Sequence, residues 1–344
     1  MKALVLHAAR DLRVEDRPDP QPGPGQVLAA IAKGGICGSD LHYFQHGGIG
    51  SMIRLREPMI LGHEVSGHVA ALGAGVDRFS VGDLVAVSPS RPCGACTYCQ
   101  QGQQQHCLNM RFYGSAMPMP HIQGAFRQLL VADAAQCVPA HGLSPAQAAM
   151  AEPLAVCLHA VNQAGALMGK TVLITGCGPI GCLTLLAARN AGAARIIVTD
   201  LTDFTLSTAR GLGADLAVNV GTHPDALTPL SEGKGKVDVH FECSGAAQAL
   251  ATGVAVLRPG GVLVQLGLGG DATVPLQAMT VKELTLRGSF RFHREFASAV
   301  QAMQSGRIDV SPLLSGSYPM EDAAAALDHA ADRNRAMKIS LDFA

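Results

Sequence analysis

The sequence predicts an α/β protein of two domains, a β-rich one and a doubly wound parallel sheet, and three observations predict it. The chain has 344 residues, more than one core usually serves at roughly 100–200 residues per domain. Its first third carries short apolar runs separated by Gly and Pro, the pattern of short strands and turns. From about Pro153 strands and helices alternate, which implies a parallel sheet covered by helices.

The elements follow in order. Residues 1–7 read as a first strand, and the proline-dense 18–25 as a rigid surface connection. Apolar runs at 27–31, 65–72 and 84–87 supply further strands. In the alternating part, strands fall at 171–175, 195–199, 237–242 and 261–266, and helices at 179–191, 204–212 and 246–257. After Arg287 the alternation stops, and a helix over 293–304 leads to a last apolar strand at 337–341. That strand needs partners, and they are expected in the first domain. The expected division is therefore 1–152 with 288–344 for a discontinuous catalytic domain and 153–287 for nucleotide binding.

Composition narrows the function. Hydrophobic residues make up 48% and charged residues 15%, which describes a well-buried globular chain. With 26 basic and 27 acidic residues and a formal charge of -1, nothing calls for a nucleic acid or an anionic membrane. A small polar ligand fits better. No apolar run reaches the ~18 residues of a membrane span, and the amino terminus lacks the features of a secretory signal. The ten cysteines then read as reduced thiols, some of them metal ligands, in a cytoplasmic protein.

Four motifs and one isolated glutamate carry chemistry. Cys37-Gly38-Ser39-Asp40-Leu41-His42-Tyr43 packs a thiol, a hydroxyl, a carboxylate and an imidazole into one stretch, the equipment of a catalytic metal site. Gly62-His63-Glu64 follows an apolar strand, and with Cys37 it makes a mixed ligand set that leaves a position open. Glu152 lies in an apolar run at the domain junction, where an unpartnered carboxylate is costly and a metal would relieve it. Either Glu64 or Glu152 can be the direct ligand. Cys93, Cys96, Cys99 and Cys107, spaced by two, two and seven residues, can wrap one tetrahedral ion in a closed, structural site. His106 is an alternative ligand there. Gly176-Cys177-Gly178-Pro179-Ile180-Gly181 follows a strand and opens a helix, so a pyrophosphate can approach the helix amino terminus. Asp200, 19 residues after Gly181, would bind ribose hydroxyls. Its charge repels a 2'-phosphate, and 201–206 offers no Arg or Lys, which favours NAD over NADP. The remaining cysteines and histidines read as packing residues.

Together these motifs resemble the zinc-containing medium-chain dehydrogenase/reductase family over nearly the whole chain. The resemblance implies a GroES-like catalytic domain and a Rossmann NAD-binding domain, one catalytic and one structural zinc, and a homodimer or homotetramer. Glu152 in Ala151-Glu152-Pro153-Leu154 is similar to the polyol dehydrogenase branch, which implies a polyhydroxy substrate. The stretches 34–43, 110–117 and 286–292 are similar to L-idonate 5-dehydrogenases, which interconvert L-idonate and 5-keto-D-gluconate. A sugar acid needs a cation for its carboxylate, and Arg291 or Arg111 could give a bidentate one. Tyr43 and Phe292 are candidates to line the pocket. In the implied chemistry the metal acts as a Lewis acid on a substrate hydroxyl, hydride passes to the nicotinamide, and a proton leaves through Ser39 and then His42. Asp40 would orient His63. A neutral-polyol dehydrogenase acting on sorbitol or xylitol is the alternative; a silent nucleotide-binding sensor is a remote one.

Overall fold

The computed structural model describes residues 1–343. Two sheets dominate it. Seven strands form a sheet ordered Cys137–Pro139, Leu84–Val87, Glu64–Leu72, Gln26–Gly35, Lys338–Asp342 and Leu314–Pro319, with Leu129–Asp133 also paired to Gln26–Gly35; it is antiparallel except for the last pair, which is parallel. Gln26–Gly35 is central because its alternate residues Val27, Ala29 and Ile31 are buried, as a strand with one core face requires. Its far end pairs with the last strand, Gly35 opposite Ser340 and Lys33 opposite Asp342. The expected partnership of the final strand is thus formed.

Six parallel strands make the second sheet, ordered Leu216–Asn219, Arg195–Asp200, Thr171–Thr175, Val237–Glu242, Leu257–Gln265 and Thr285–Gly288. Strand order reverses beside Thr171–Thr175, and a crevice opens at the carboxyl ends of the strands there. Val172, Leu173 and Ile174 are fully buried, the near-continuous apolar run of a strand covered on both faces. Two of the six strands have no counterpart in the sequence reading. Thr285–Gly288 is exposed along its whole length at the sheet edge and carries no apolar run, and the apolar run of Leu216–Asn219 is only three residues long and part-buried, too short to stand out.

Helix Ala151–Ala164 joins the two halves. It packs against Pro179–Asn190 and Glu295–Gln304 and also touches Glu64–Leu72. Its apolar face, including Leu154, Cys157 and Val161, belongs to the core beneath the parallel sheet, while Leu4, Val65 and Phe126 sit in the second core, with the antiparallel sheet. Among the described residues no helix is long and apolar enough to cross a membrane.

Candidate metal centre and cofactor cleft

Cys37 caps the amino terminus of helix Gly38–His46 in extended conformation. Its backbone N–H donates to Asp40 Oδ2 at 3.0 Å, and the N–H of Gly62 donates to Asp40 Oδ1 at 3.2 Å. One buried carboxylate thus ties together the two loops that carry Cys37 and His63. Burial pushes the Asp40 carboxyl above its usual range, against the pull of His63. Asp40 Oδ1 lies 3.8 Å from His63 Nδ1, close enough to orient the ring electrostatically.

Cys37, His63 and Glu64 bring their ligand atoms within 4.8 Å of one another. A part-buried thiol beside a buried imidazole and carboxylate fits a zinc ion with a position left for substrate. Burial opposes a charge on His63, but Asp40 and Cys37 outweigh it and hold its pKa well above normal. An imidazole ringed by negative groups suits a site that receives a cation.

Glu64 has a partner that sequence reading did not find. Lys338, from the last strand, donates to its two oxygens at 2.8 and 2.7 Å and to Ile36 O at 3.1 Å. Glu152 lies in the first turn of its helix and is buried. Burial pushes its pKa up to about 7; Glu64 and Asp40 act in the same direction, and His63 and Lys338 oppose them.

The other predicted residues divide. Ser39 and His42 sit on helix Gly38–His46, Ser39 half-buried and His42 exposed, three positions apart on one face. Tyr43 is buried, and its hydroxyl accepts the Ala116 N–H at 3.1 Å. Arg291 is part-buried, with its guanidinium carbon 4.2 Å from the Phe112 ring centre. Burial lowers its pKa, and Glu152 and Tyr43 oppose that fall. Two readings need correction. Phe292 is 0% exposed and stacks on Phe296 within the core, so it does not line a pocket. Its neighbour Phe290, 43% exposed, faces outward instead. Arg111 is exposed on a two-residue strand opposite Arg91, and nothing ties it to the metal cluster. Phe112, next to it, is the residue that meets the site, its ring 5.7 Å from that of His63.

Cys93, Cys96, Cys99 and Cys107 also converge within 4.8 Å. The N–H of Cys93 points to Cys107 Sγ at 3.2 Å and that of Cys96 to Cys93 Sγ at 3.4 Å. Backbone N–H groups of Ala95 and Cys96 pull the Cys93 pKa down to about 6. Burial pushes the Cys99 thiol the other way, up to about 12, so it is the convergence of four thiols that fits a tetrahedral metal. His106 lies outside this group.

At the cofactor crevice Gly176 has φ 85°, and a Cβ on Gly181 would lie 1.8 Å from Gly176 O. The turn therefore needs glycine at both positions. Gly178 caps helix Pro179–Asn190, with Pro179 and Ile180 in its first turn. Asp200 accepts the Cys177 N–H at 2.5 Å and the Leu201 N–H at 2.7 Å, which fixes the carboxylate at the lip of the turn. A cavity of about 530 Å³ there is lined by Gly176, Asp200, Ser244 and Arg333. Arg333 comes from the far end of the chain and no local motif announced it. A second cavity, about 880 Å³, is walled by Ile49–Ile53 residues on one side and Gly245, Gly267 and Gly288 on the other, so the crevice runs between the two halves.

Residues 23–142 match the family model for the alcohol dehydrogenase GroES-like domain, and 179–305 match that for zinc-binding dehydrogenases. The chain is 44% identical over 323 residues to L-idonate 5-dehydrogenase (NAD(P)(+)) of Escherichia coli (strain K12), covering 92% of each. It is 36% identical over 331 residues to human sorbitol dehydrogenase, covering 95% of this chain and 91% of that one. The crystal structure of L-idonate 5-dehydrogenase from E. coli str. K-12 substr. MG1655 superposes with a TM-score of 0.95 at 41% identity, covering 99% and 97% of the two chains. The chain belongs to the zinc-dependent medium-chain dehydrogenase family, in its polyol dehydrogenase branch.

Proposed function

We propose that this chain is an NAD-dependent oxidoreductase acting on a secondary alcohol of a sugar acid, with L-idonate and 5-keto-D-gluconate as the pair. The observation that carries the sugar-acid reading is Arg291. Its guanidinium is part-buried and in electrostatic reach of Glu152 and Tyr43, and no carboxylate pairs with it among the described residues. A part-buried guanidinium without a carboxylate partner is suited to a substrate carboxylate.

When bound, zinc supplies Lewis acidity toward a substrate hydroxyl and the nicotinamide accepts the hydride. Cys37, His63 and Glu64 would hold the catalytic zinc, and Cys93, Cys96, Cys99 and Cys107 the structural one. Glu152, buried beside His63, Glu64 and Lys338, is the second carboxylate at this cluster and the alternative ligand to Glu64. Ser39 and His42 lead the proton from the buried end of their helix face to its exposed end. Tyr43 keeps its hydroxyl hydrogen free to meet a substrate oxygen, since it accepts from Ala116. The glycine turn at Gly176–Gly181 leaves room for a pyrophosphate, and Asp200 favours the unphosphorylated ribose.

The catalytic domain takes 1–152 and 288–344 and the nucleotide domain 153–287; the pairing of Lys338–Asp342 with Gln26–Gly35 supports the return. Helix Glu295–Gln304, however, packs on Ala151–Ala164 of the nucleotide half. A homodimer or homotetramer is supported by the exposed edge strand Thr285–Gly288 and by exposed Leu276, Val281 and Leu286 near it. All ten cysteines are unpaired, which supports the reducing cytoplasm.

The second reading, a dehydrogenase of neutral polyols such as sorbitol or xylitol, is favoured by Glu152 and by the 36% identity to sorbitol dehydrogenase. Initial rates of NAD and NADP reduction with L-idonate, sorbitol and xylitol decide between them. L-idonate with NAD should lead, and Arg291→Ala should remove that lead. Faster turnover of the neutral polyols overturns the sugar-acid reading and leaves the zinc site standing. A chain that binds NAD but turns over none of them is the sensor.

A further inference from the structure

The four-thiol lobe reaches the substrate side of the molecule through an aromatic contact. Gln104–His106 forms one tight turn directly before Cys107, so the lobe carries the His106 ring. That ring stacks on Phe290, centres 6.4 Å apart and planes 13° from parallel, and Tyr98 of the same lobe meets it edge-on at 6.1 Å. Phe290 precedes Arg291, whose guanidinium carbon lies 4.9 Å from the Phe290 ring centre and 4.2 Å from that of Phe112. Phe112 in turn lies against His63. Tyr98, His106, Phe112, Phe290 and Arg291 line one cavity of about 720 Å³.

Arg291 holds φ 56°, a left-handed conformation that a long side chain keeps only when its surroundings enforce it. Beyond the two rings, its guanidinium touches Met117 Sδ at 3.9 Å, a contact too weak to set its direction. The aromatic faces are what orient it. We propose that His106 and Phe290 are positioning residues for Arg291, so that the four-thiol lobe sets the preference for an anionic over a neutral polyol. This rests on the sugar-acid reading above. It gives the lobe a part in specificity in addition to holding its own loop.

The test compares kcat and KM for L-idonate and sorbitol in wild type, His106→Ala, His106→Phe, Phe290→Leu and Arg291→Ala, with zinc content per chain and the calorimetric Kd of L-idonate without NAD. An exposed aromatic stack is modest, so His106→Ala and Phe290→Leu should lower the L-idonate to sorbitol ratio of kcat/KM roughly three- to tenfold. The loss should fall on KM and Kd for L-idonate, and His106→Phe should restore both. Phe290→Leu, outside the lobe, decides the matter if His106→Ala loses metal. The proposal is overturned if the ratio stays at the wild-type value while Arg291→Ala abolishes it, or if both substrates decline in parallel. A wild type without any preference for L-idonate removes the sugar-acid reading itself, and this inference with it.

Discussion

Lys338 stands 274 positions from Glu64 in the chain, yet its ammonium contacts both carboxylate oxygens. Burial works against the charge of Lys338, and Glu64 and Cys37 outweigh it, so the group holds its proton above the usual range. The pair is 4% and 1% exposed, and breaking such a pair leaves one charge buried without compensation. In chelator-treated protein Lys338→Met should therefore cost about 3 kcal/mol, read as a lower urea midpoint with an unchanged slope. Lys338→Arg should lose less. A midpoint unmoved by Lys338→Met would mean that Glu64 is protonated or solvated rather than paired. Sequence reading found Cys37, His63 and Glu64 because ligand types cluster locally, but Lys338 carries no such mark.

At the scale of elements, the glycine turn and the start of helix Glu295–Gln304 make separable predictions. A methyl group on Gly181 would enter the space of the Gly176 carbonyl, which is backbone and cannot give way. Gly181→Ala should weaken NAD binding by more than about tenfold, measured by quenching or calorimetry. Gly211→Ala, where a Cβ meets nothing within 4 Å, should leave affinity intact. Glu295 is held by His159 Nδ1 at 3.1 Å, Asn162 Nδ2 at 3.0 Å and the His293 N–H at 3.1 Å. Burial opposes its charge, but these donors prevail, led by His159, and set its pKa at about 2, below the ordinary 4.5. A carboxyl depressed in the folded state contributes its stability in full above the unfolded value and loses it as pH falls from 4.5 toward 2. The contribution is about 2–3 kcal/mol. Urea unfolding of wild type should weaken over that window, and Glu295→Gln, less stable at neutral pH, should converge on wild type at its acid end. A wild-type to variant gap that is constant with pH contradicts the account.

For the whole molecule, the apolar cores and the cysteine lobe differ in what holds them. The antiparallel sheet has one main core and the parallel sheet one on each face, and helix Ala151–Ala164 packs into one of the latter while touching the antiparallel sheet. The lobe has little apolar cover, since Cys93 is exposed, as are Gln100, Gln101 and Gln103 around it. Its order then depends on the metal. Chelation should lower Tm by several degrees, roughly 5 °C. Limited proteolysis of the chelated protein should cut first within residues 93–107, with the parallel sheet protected. First cleavage elsewhere would show that the lobe is held by its packing.

Local order decided what could be read early. The glycine turn, the thiol spacing and the Cys37 and His63 loops are each formed by neighbours in sequence, so residue type and spacing disclose them. The same holds for the buried parallel strands, whose apolar runs announce them, while the exposed edge strand Thr285–Gly288 has no such run. Tertiary structure decided the rest. It placed Lys338 on Glu64 and Arg333 at the cofactor crevice, turned Phe292 inward and Phe290 outward, and left Arg111 exposed while its neighbour Phe112 met Arg291. Those outcomes depend on which distant surfaces meet when the cores pack, and adjacent residues carry no record of that.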